Sequence, residues 1–210
     1  MYVPAHFAAP SDAAVHELLS NAGASDLVTW DGQGMVATTL PLLFSAPGSL
    51  LGHVARNNTQ WRHTAGEALV IVRGPDAYVS PSSYATKREH GRVVPTWNYI
   101  TAHVYGTLVA HDDPAWTEDL VRRLTDRHES ARPAPWSVDD APRPFIEGQL
   151  RAIVGIELAI TRIEAKWKLS QNRSAEDISG VSASLRTGTA AERAVAAAMD
   201  PFLTVPPEHP

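Results

Sequence analysis

The chain has 210 residues, 44% of them apolar and 20% charged, the make-up of an ordinary soluble globular protein with enough length for a core without staples. It has no cysteine, which excludes disulfides, thiolate zinc sites, iron–sulfur clusters and a cysteine nucleophile. A net charge of −5 and a pI of about 6.0 count against a surface that grips nucleic-acid phosphates.

The opening MYVPAHFAAP carries no basic stretch backed by a long apolar run, so no secretory signal is expected. No apolar stretch approaches the roughly 18 residues of a membrane helix. The reading is a soluble protein of the cytoplasm, folded as a single domain over 1–210.

Ser11 is placed to cap a first helix with Val15, Leu18, Leu19 and Ala22 on one face, ending at Gly23. DLVTWD and MVATTLPLLF then read as strands around a hairpin turn at Gly32-Gln33-Gly34. A break is expected at residues 45–48, and SLLGHVA resumes extended structure. EALVIVRG and DAYVS read as two strands separated by Gly74-Pro75. The clearest strand covers 98–110: Ile100, Ala102, Val104, Gly106, Leu108 and Ala110 fall on one face, and Tyr99, Thr101, His103, Tyr105 and Thr107 on the other. Such alternation suits a barrel wall whose second face meets a partner or ligand.

Asp113-Pro114 starts a helix predicted to reach about His128. Residues 132–144 hold four prolines and read as a surface loop. A last strand is expected from Ile153 to about Glu164, then C-terminal helices over about 174–202. Ser174 caps the first of these, and Thr189 with Glu192 forms a capping box on the second. The final PPEHP is expected to fray. Strands in short-turned succession without a βαβ rhythm predict a mainly β (α+β) fold, an antiparallel barrel with peripheral helices.

Three segments combine polar, basic and aromatic residues: GHVARNN at 52–58, the stretch 80–99 with SPSSYATK and VPTWNY, and KWKLSQNR at 166–173. A phosphorylated aromatic ligand needs cations and hydroxyls for its phosphate, amides for ring edges and aromatic walls for ring faces. The segments offer Arg56, Lys87, Lys166 and Lys168; Ser80, Ser82, Ser83 and Thr96; Asn57, Asn98, Gln171 and Asn172; and Tyr84, Trp97 and Trp167. The same residue types also belong in turns and strand ends, so composition leaves both readings open. His53 and His103 lack any spacing that supports a metal cluster. No G-x-S-x-G elbow, dinucleotide fingerprint or Walker pattern occurs. The adjacent Asp139 and Asp140 read as solvated.

Taken together, these segments resemble the PaiB-like family of FMN-binding negative transcriptional regulators. The likeness runs through nearly the whole chain in order: Met1-Tyr2-Val3-Pro4 with Phe7, Leu51 to Asn57, Gly74-Pro75 with Ala77-Tyr78, Ser80-Pro81 with Tyr84 and Lys87, Val94 to Tyr99, His103 to Gly106, Ile153 to Ile156, and Lys166 with Lys168 to Asn172. PTWNY and KLSQN at this separation are its specific marks. The resemblance implies a split β-barrel of the pyridoxamine-phosphate-oxidase-like type, a homodimer, and FMN bound where two subunits meet.

On that reading Arg56, Lys87 and Lys168 contact the phosphate with Ser82 and Thr96, while Asn57 lies beside Arg56. Asn98, Gln171 and Asn172 bond the isoalloxazine edge, and Trp97 or Tyr84 covers a ring face. The chain departs from the family pattern at Ser83, where relatives show Trp, and at Ala165, where they show Gly. A ligand or redox sensor is implied, with no helix-turn-helix to support direct DNA contact. The alternatives are a flavin-dependent oxidoreductase, with His53, His103 or Tyr99 as proton donors, and a haem-binding or haem-degrading split barrel.

Overall fold

A computed structural model of the chain describes residues 1–45 and 48–203, so the middle of the expected break at 45–48 and the terminal PPEHP lie outside the described residues. Among the described residues the elements run α1 (Asp12–Asn21), β1 (Ala24–Trp30), β2 (Met35–Pro41), β3 (Leu43–Ser45), β4 (Ser49–Ala55), β5 (Glu67–Val79), β6 (Thr96–His111), α2 (Pro114–Glu129), α3 (Arg143–Arg151), β7 (Ile153–Lys168), α4 (Ala175–Arg186) and α5 (Ala190–Leu203). The strands form one sheet in the order β2-β1-β5-β6-β7-β4-β3. The chain divides into two compact units. One, the sheet unit, comprises 19–72 and 103–163; the other, the helical unit, comprises 1–18, 73–102 and the described residues from Glu164 onward. The long strands β5, β6 and β7 run covalently from one into the other.

In the sheet unit, β1 and β2 form the expected hairpin. The Asp31 carboxylate accepts the Gln33 and Gly34 amides at 2.8 Å each, and Gly32 takes the left-handed φ of +95° that the turn requires. The predicted strand through PLLF is instead two, β2 and β3, interrupted at Leu42. That buried side chain packs where a Cβ on Gly52 would lie 2.6 Å from it, so the bare Gly52 of β4 makes room for the interruption. β4 pairs antiparallel with β7, Ser49 opposite Ala159 through Ala55 opposite Ile153. Leu51, Leu120 and Leu124 bury α2 against β4, with Trp116 and Leu43 at the margin.

Residues 132–144 are not a plain loop. Val138–Asp140 forms a 3₁₀ turn with its own capping box, and α3 begins at Arg143. Val138, Ile146 and Leu150 make a second small core there. Asp139 is engaged by the Arg122 guanidinium at 2.7 and 2.9 Å, and Arg122 with Arg143 also holds Glu118. Asp140 closes its capping box on the Ser137 amide.

Gly74-Pro75 does not break β5. Buried positions run Ala68, Val70, Val72 and then Ala77, Val79, so the phase of the strand shifts by one residue, as a bulge shifts it. Proline is tolerated at such a point because it needs no ladder donor. The alternation expected for β6 is present, with Asn98, Ile100, Ala102, Val104, Gly106 and Leu108 all buried. β7 extends four residues past its expected end, so Lys166 and Lys168 stand on the strand itself. In the helical unit α4 packs on α5, each capped as predicted: Ser174 Oγ accepts the Asp177 amide, and Thr189 and Glu192 exchange hydrogen bonds.

Candidate functional site

The helical unit gathers most of the residues singled out in the sequence. Alternation along β6 sends Thr96 and Asn98 to one face and Trp97 and Tyr99 to the other, and Trp97 remains 53% exposed. The end of β7 faces this region. Lys168 Nζ donates to Thr96 Oγ1 at 2.7 Å and to the Trp97 carbonyl, and lies 5.9 Å from the centre of the Tyr99 ring. Burial, then the neighbouring Lys166 and Arg173 charges, hold the Lys168 ammonium below the ordinary lysine pKa.

The 80–99 stretch begins with two 3₁₀ turns, Pro81–Ser83 and Ala85–Lys87. They fold Lys87 back so that its Nζ donates to Ser82 Oγ at 2.9 Å. The turns are anchored on α4 by Asp177, whose carboxylate accepts the Thr86 amide and hydroxyl at 2.8–3.1 Å. Gly180 supplies the close approach: a Cβ there would lie 2.3 Å from the Ser83 carbonyl oxygen. Tyr84 is buried between the turns, with the Arg173 guanidinium 5.1 Å over its ring, and burial raises its phenol pKa.

KLSQN forms a tight exit from β7. Ser170 adopts φ +70°, Gln171 Oε1 accepts the Leu169 amide at 2.7 Å, and Gln171 Nε2 donates to the Trp167 carbonyl at 2.6 Å. Ser170 Oγ donates to Asn98 Oδ1 at 3.1 Å, and Asn98 Nδ2 reaches Met199 Sδ of α5 at 3.6 Å. Asn98 and Gln171, expected at a ring edge, therefore have their amides engaged within the chain. Asn172 is exposed, and Trp167 is buried as a core residue. Ala165 sits inside β7 with ordinary strand geometry, so no tight turn depends on a glycine there.

Arg56 and Asn57 belong to the sheet unit. The Arg56 guanidinium grips Asp112 at 2.7 and 3.0 Å and donates to the Arg151 and Ile153 carbonyls at 2.7 and 3.1 Å, tying three chain segments together. Asn57 is exposed. His53 is half-buried with Nδ1 unpartnered among the described residues, and burial lowers the pKa of both His53 and His103, favouring neutral rings. Among the described residues no group of three histidine or carboxylate side chains lies close enough to hold a metal ion, and no helix is long and apolar enough to cross a membrane.

Sequence reasoning about the site missed Tyr2 and Phe7 in its aromatic surround. Phe7 is buried with its ring centre 5.7 Å from Lys166 Nζ and 6.0 Å from Lys168 Nζ, and Tyr2 and Tyr99 stand at 5.5 and 5.6 Å from Lys166 Nζ. The signal lay in the aromatic residues of MYVPAHF, some 160 positions before the lysines they surround. The donor set fits a phosphorylated flavin: ammonium–hydroxyl pairs suit a phosphate, and exposed Trp97 with Tyr99 offers ring faces.

The chain is 33% identical to "Protease synthase and sporulation protein PAI 2" of Bacillus subtilis over 186 residues, covering 86% of this chain and 87% of that protein. Among solved structures it resembles the FAD and heme binding protein from Mycobacterium smegmatis, with TM-score 0.60, 19% identity, and coverage of 81% of this chain and 78% of that one. It also resembles the flavocytochrome Anf3 from Azotobacter vinelandii, with TM-score 0.58, 13% identity, and coverage of 79% and 72%. At these identities the structural likeness speaks to the fold, which is the expected split β-barrel with added helices. Residues 1–162 match the family model FMN_bind_2, described as "Putative FMN-binding domain", and with the likeness to PAI 2 over most of both chains this means that the chain belongs to that PaiB-like family.

Proposed function

We propose that this chain binds FMN in the helical unit and works as a homodimeric ligand or redox sensor in the cytoplasm. The observation that carries the reading is the Lys168 ammonium, half-buried, held on Thr96 Oγ1 at 2.7 Å and on the Trp97 carbonyl, with Tyr99 beside it. A cation prepared in that way meets a phosphomonoester without first having to be ordered. Ser82 with Lys87 forms a second ammonium–hydroxyl pair, and Trp97 offers a ring face. Asn98 and Gln171 serve the ligand indirectly, by fixing the turn that presents Lys168. When bound, the flavin supplies hydride or single-electron chemistry, and the protein supplies orientation.

Control rather than metabolism is carried over from the relative named for protease synthesis and sporulation. The acidic balance disfavours a direct hold on DNA, so the signal passes through a ligand or a protein partner. A homodimer accords with the aromatic side chains left outside in the helical unit, Tyr2, Tyr78 and Trp97.

The test is the visible spectrum of the purified protein before and after FMN addition, followed through gel filtration with light scattering. Flavin bands that travel with a dimer are expected, together with a roughly 10- to 100-fold loss of FMN affinity in Lys168→Ala. A colourless protein, or unchanged affinity in that variant, would overturn the assignment. NADH oxidation by the loaded protein would move it to the oxidoreductases.

A further inference from the structure

Lys166 is a buried cation of this site, 8% exposed, yet among the described residues it forms no ion pair. Its ammonium has three donors and, among the described residues, one hydrogen-bond acceptor, the Tyr2 carbonyl at 3.2 Å. Glu164, the preceding residue on the same strand face, is engaged by the amino group of Met1. The rest of the surround is aromatic: Tyr2, Phe7 and Tyr99, each with its centre 5.5–5.7 Å from Nζ. Lys166 and Lys168 share one face of β7 by the two-residue period of a strand, and both ammonium groups lie within 6.0 Å of the Phe7 and Tyr99 rings. Backbone pairing of Ala8 with Lys166 pins the N-terminal segment along the same strand.

Two neighbouring ammonium groups partly withdrawn from bulk water repel each other. Ring faces offset part of the cost of their burial, but they do not fill N–H donors. An anion of charge near −2 with several acceptor oxygens resolves both deficits at once, whereas a neutral ligand resolves neither.

We propose that Lys166 and Lys168 together seat a phosphate dianion beside the N-terminal segment, and that Lys166 makes the site choose a phosphorylated flavin over its unphosphorylated counterpart. This rests on the FMN reading above and assigns Lys166 the selectivity within it.

The experiment compares FMN and riboflavin affinities, by quenching of flavin fluorescence, in the wild type and in Lys166→Met. Methionine retains an unbranched apolar stem beside Phe7 and Tyr2, and Lys166→Gln, which keeps N–H donors without charge, is the second variant should the first unfold. Loss of Lys166 is expected to weaken FMN binding roughly 10- to 100-fold and to leave riboflavin affinity within about twofold, collapsing the preference. An unchanged ratio of the two affinities overturns the proposal. If the wild type binds neither flavin, the FMN reading fails by itself and inorganic phosphate decides on Lys166. A phosphate-dependent rise in Tm that is absent from the variant supports the seat, and no rise in the wild type refutes it.

Discussion

Asn98 provides the sharpest test of how the site is built, because its amide is engaged inside the protein. It is fully buried, accepts from Ser170 Oγ at 3.1 Å, and directs Nδ2 at Met199 Sδ. Asn98→Ala removes one partner and leaves the buried Ser170 hydroxyl unsatisfied, a loss of about 1–3 kcal/mol. The vacated volume of three heavy atoms adds about 1 kcal/mol as a cavity. A total near 3 kcal/mol lowers Tm by roughly 6–12 °C for a chain of this size. Thermal and urea unfolding followed by circular dichroism measure it. Ser170→Ala and the double variant complete a cycle in which the pair costs about 1 kcal/mol less than the sum of the single changes, because the orphaned partner is gone. If Asn98→Ala melts within about 2 °C of the wild type while FMN affinity falls tenfold, the amide acts on the ligand and the structural reasoning is refuted.

Three other substitutions probe the packing within each unit. Gly106→Ala places a Cβ 2.2 Å from the Ala159 carbonyl oxygen, and since backbone cannot yield there, a loss of about 1–3 kcal/mol or more is expected in urea unfolding. Gly180→Ala would gain about 1 kcal/mol of helix propensity, but its Cβ meets the Ser83 carbonyl at 2.3 Å. Net destabilisation with weaker FMN binding is expected, because the turn bearing Ser82 and Lys87 is displaced, and a more stable variant would contradict the packing. Glu157 is held below the ordinary carboxyl pKa by its hydrogen bonds from Ser49 at 2.5 Å and with His111 at 3.0 Å. A depressed carboxyl stabilises the fold above its unfolded pKa, near 4.5, and loses that contribution as pH falls through the lower folded value. Glu157→Gln should therefore flatten the acid side of a stability–pH profile below about pH 4.5; an unchanged slope would show that the carboxyl contributes nothing there.

The frame was legible where one short-range rule governs each element. A two-residue period gave β6, Asp113 before Pro114 gave the start of α2, and Thr189 with Glu192 gave the start of α5. Where two rules compete, the sequence alone did not decide. Gly74-Pro75 favours a break, yet the strand runs on through it from Glu67 to Val79 with only a shift of phase. Prolines at 142 and 144 signal loop, and they also suit the first turn of α3, where missing donors do no harm.

The same conflict runs through the site. Ile100, Ala102 and Val104 already mark the buried face of β6, and one more step of two places Asn98 on it, although its chemistry suggested a ligand contact. Period outweighs residue type here because a buried strand position can accept an amide only if that amide finds a partner, and the left-handed Ser170 supplies one. KLSQN therefore encodes a turn first: Gln171 ties the backbone on both sides of Lys168, and the serine locks to Asn98. The cation in the middle is what the turn presents. What no local rule could reveal is the surround of Lys166, since Tyr2 and Phe7 reach it from the far end of the chain. The sequence already offers both lysines as cations for a phosphate; what their spacing cannot show is the cluster of rings around Lys166 and its single hydrogen-bond acceptor among the described residues, which together favour an anion there.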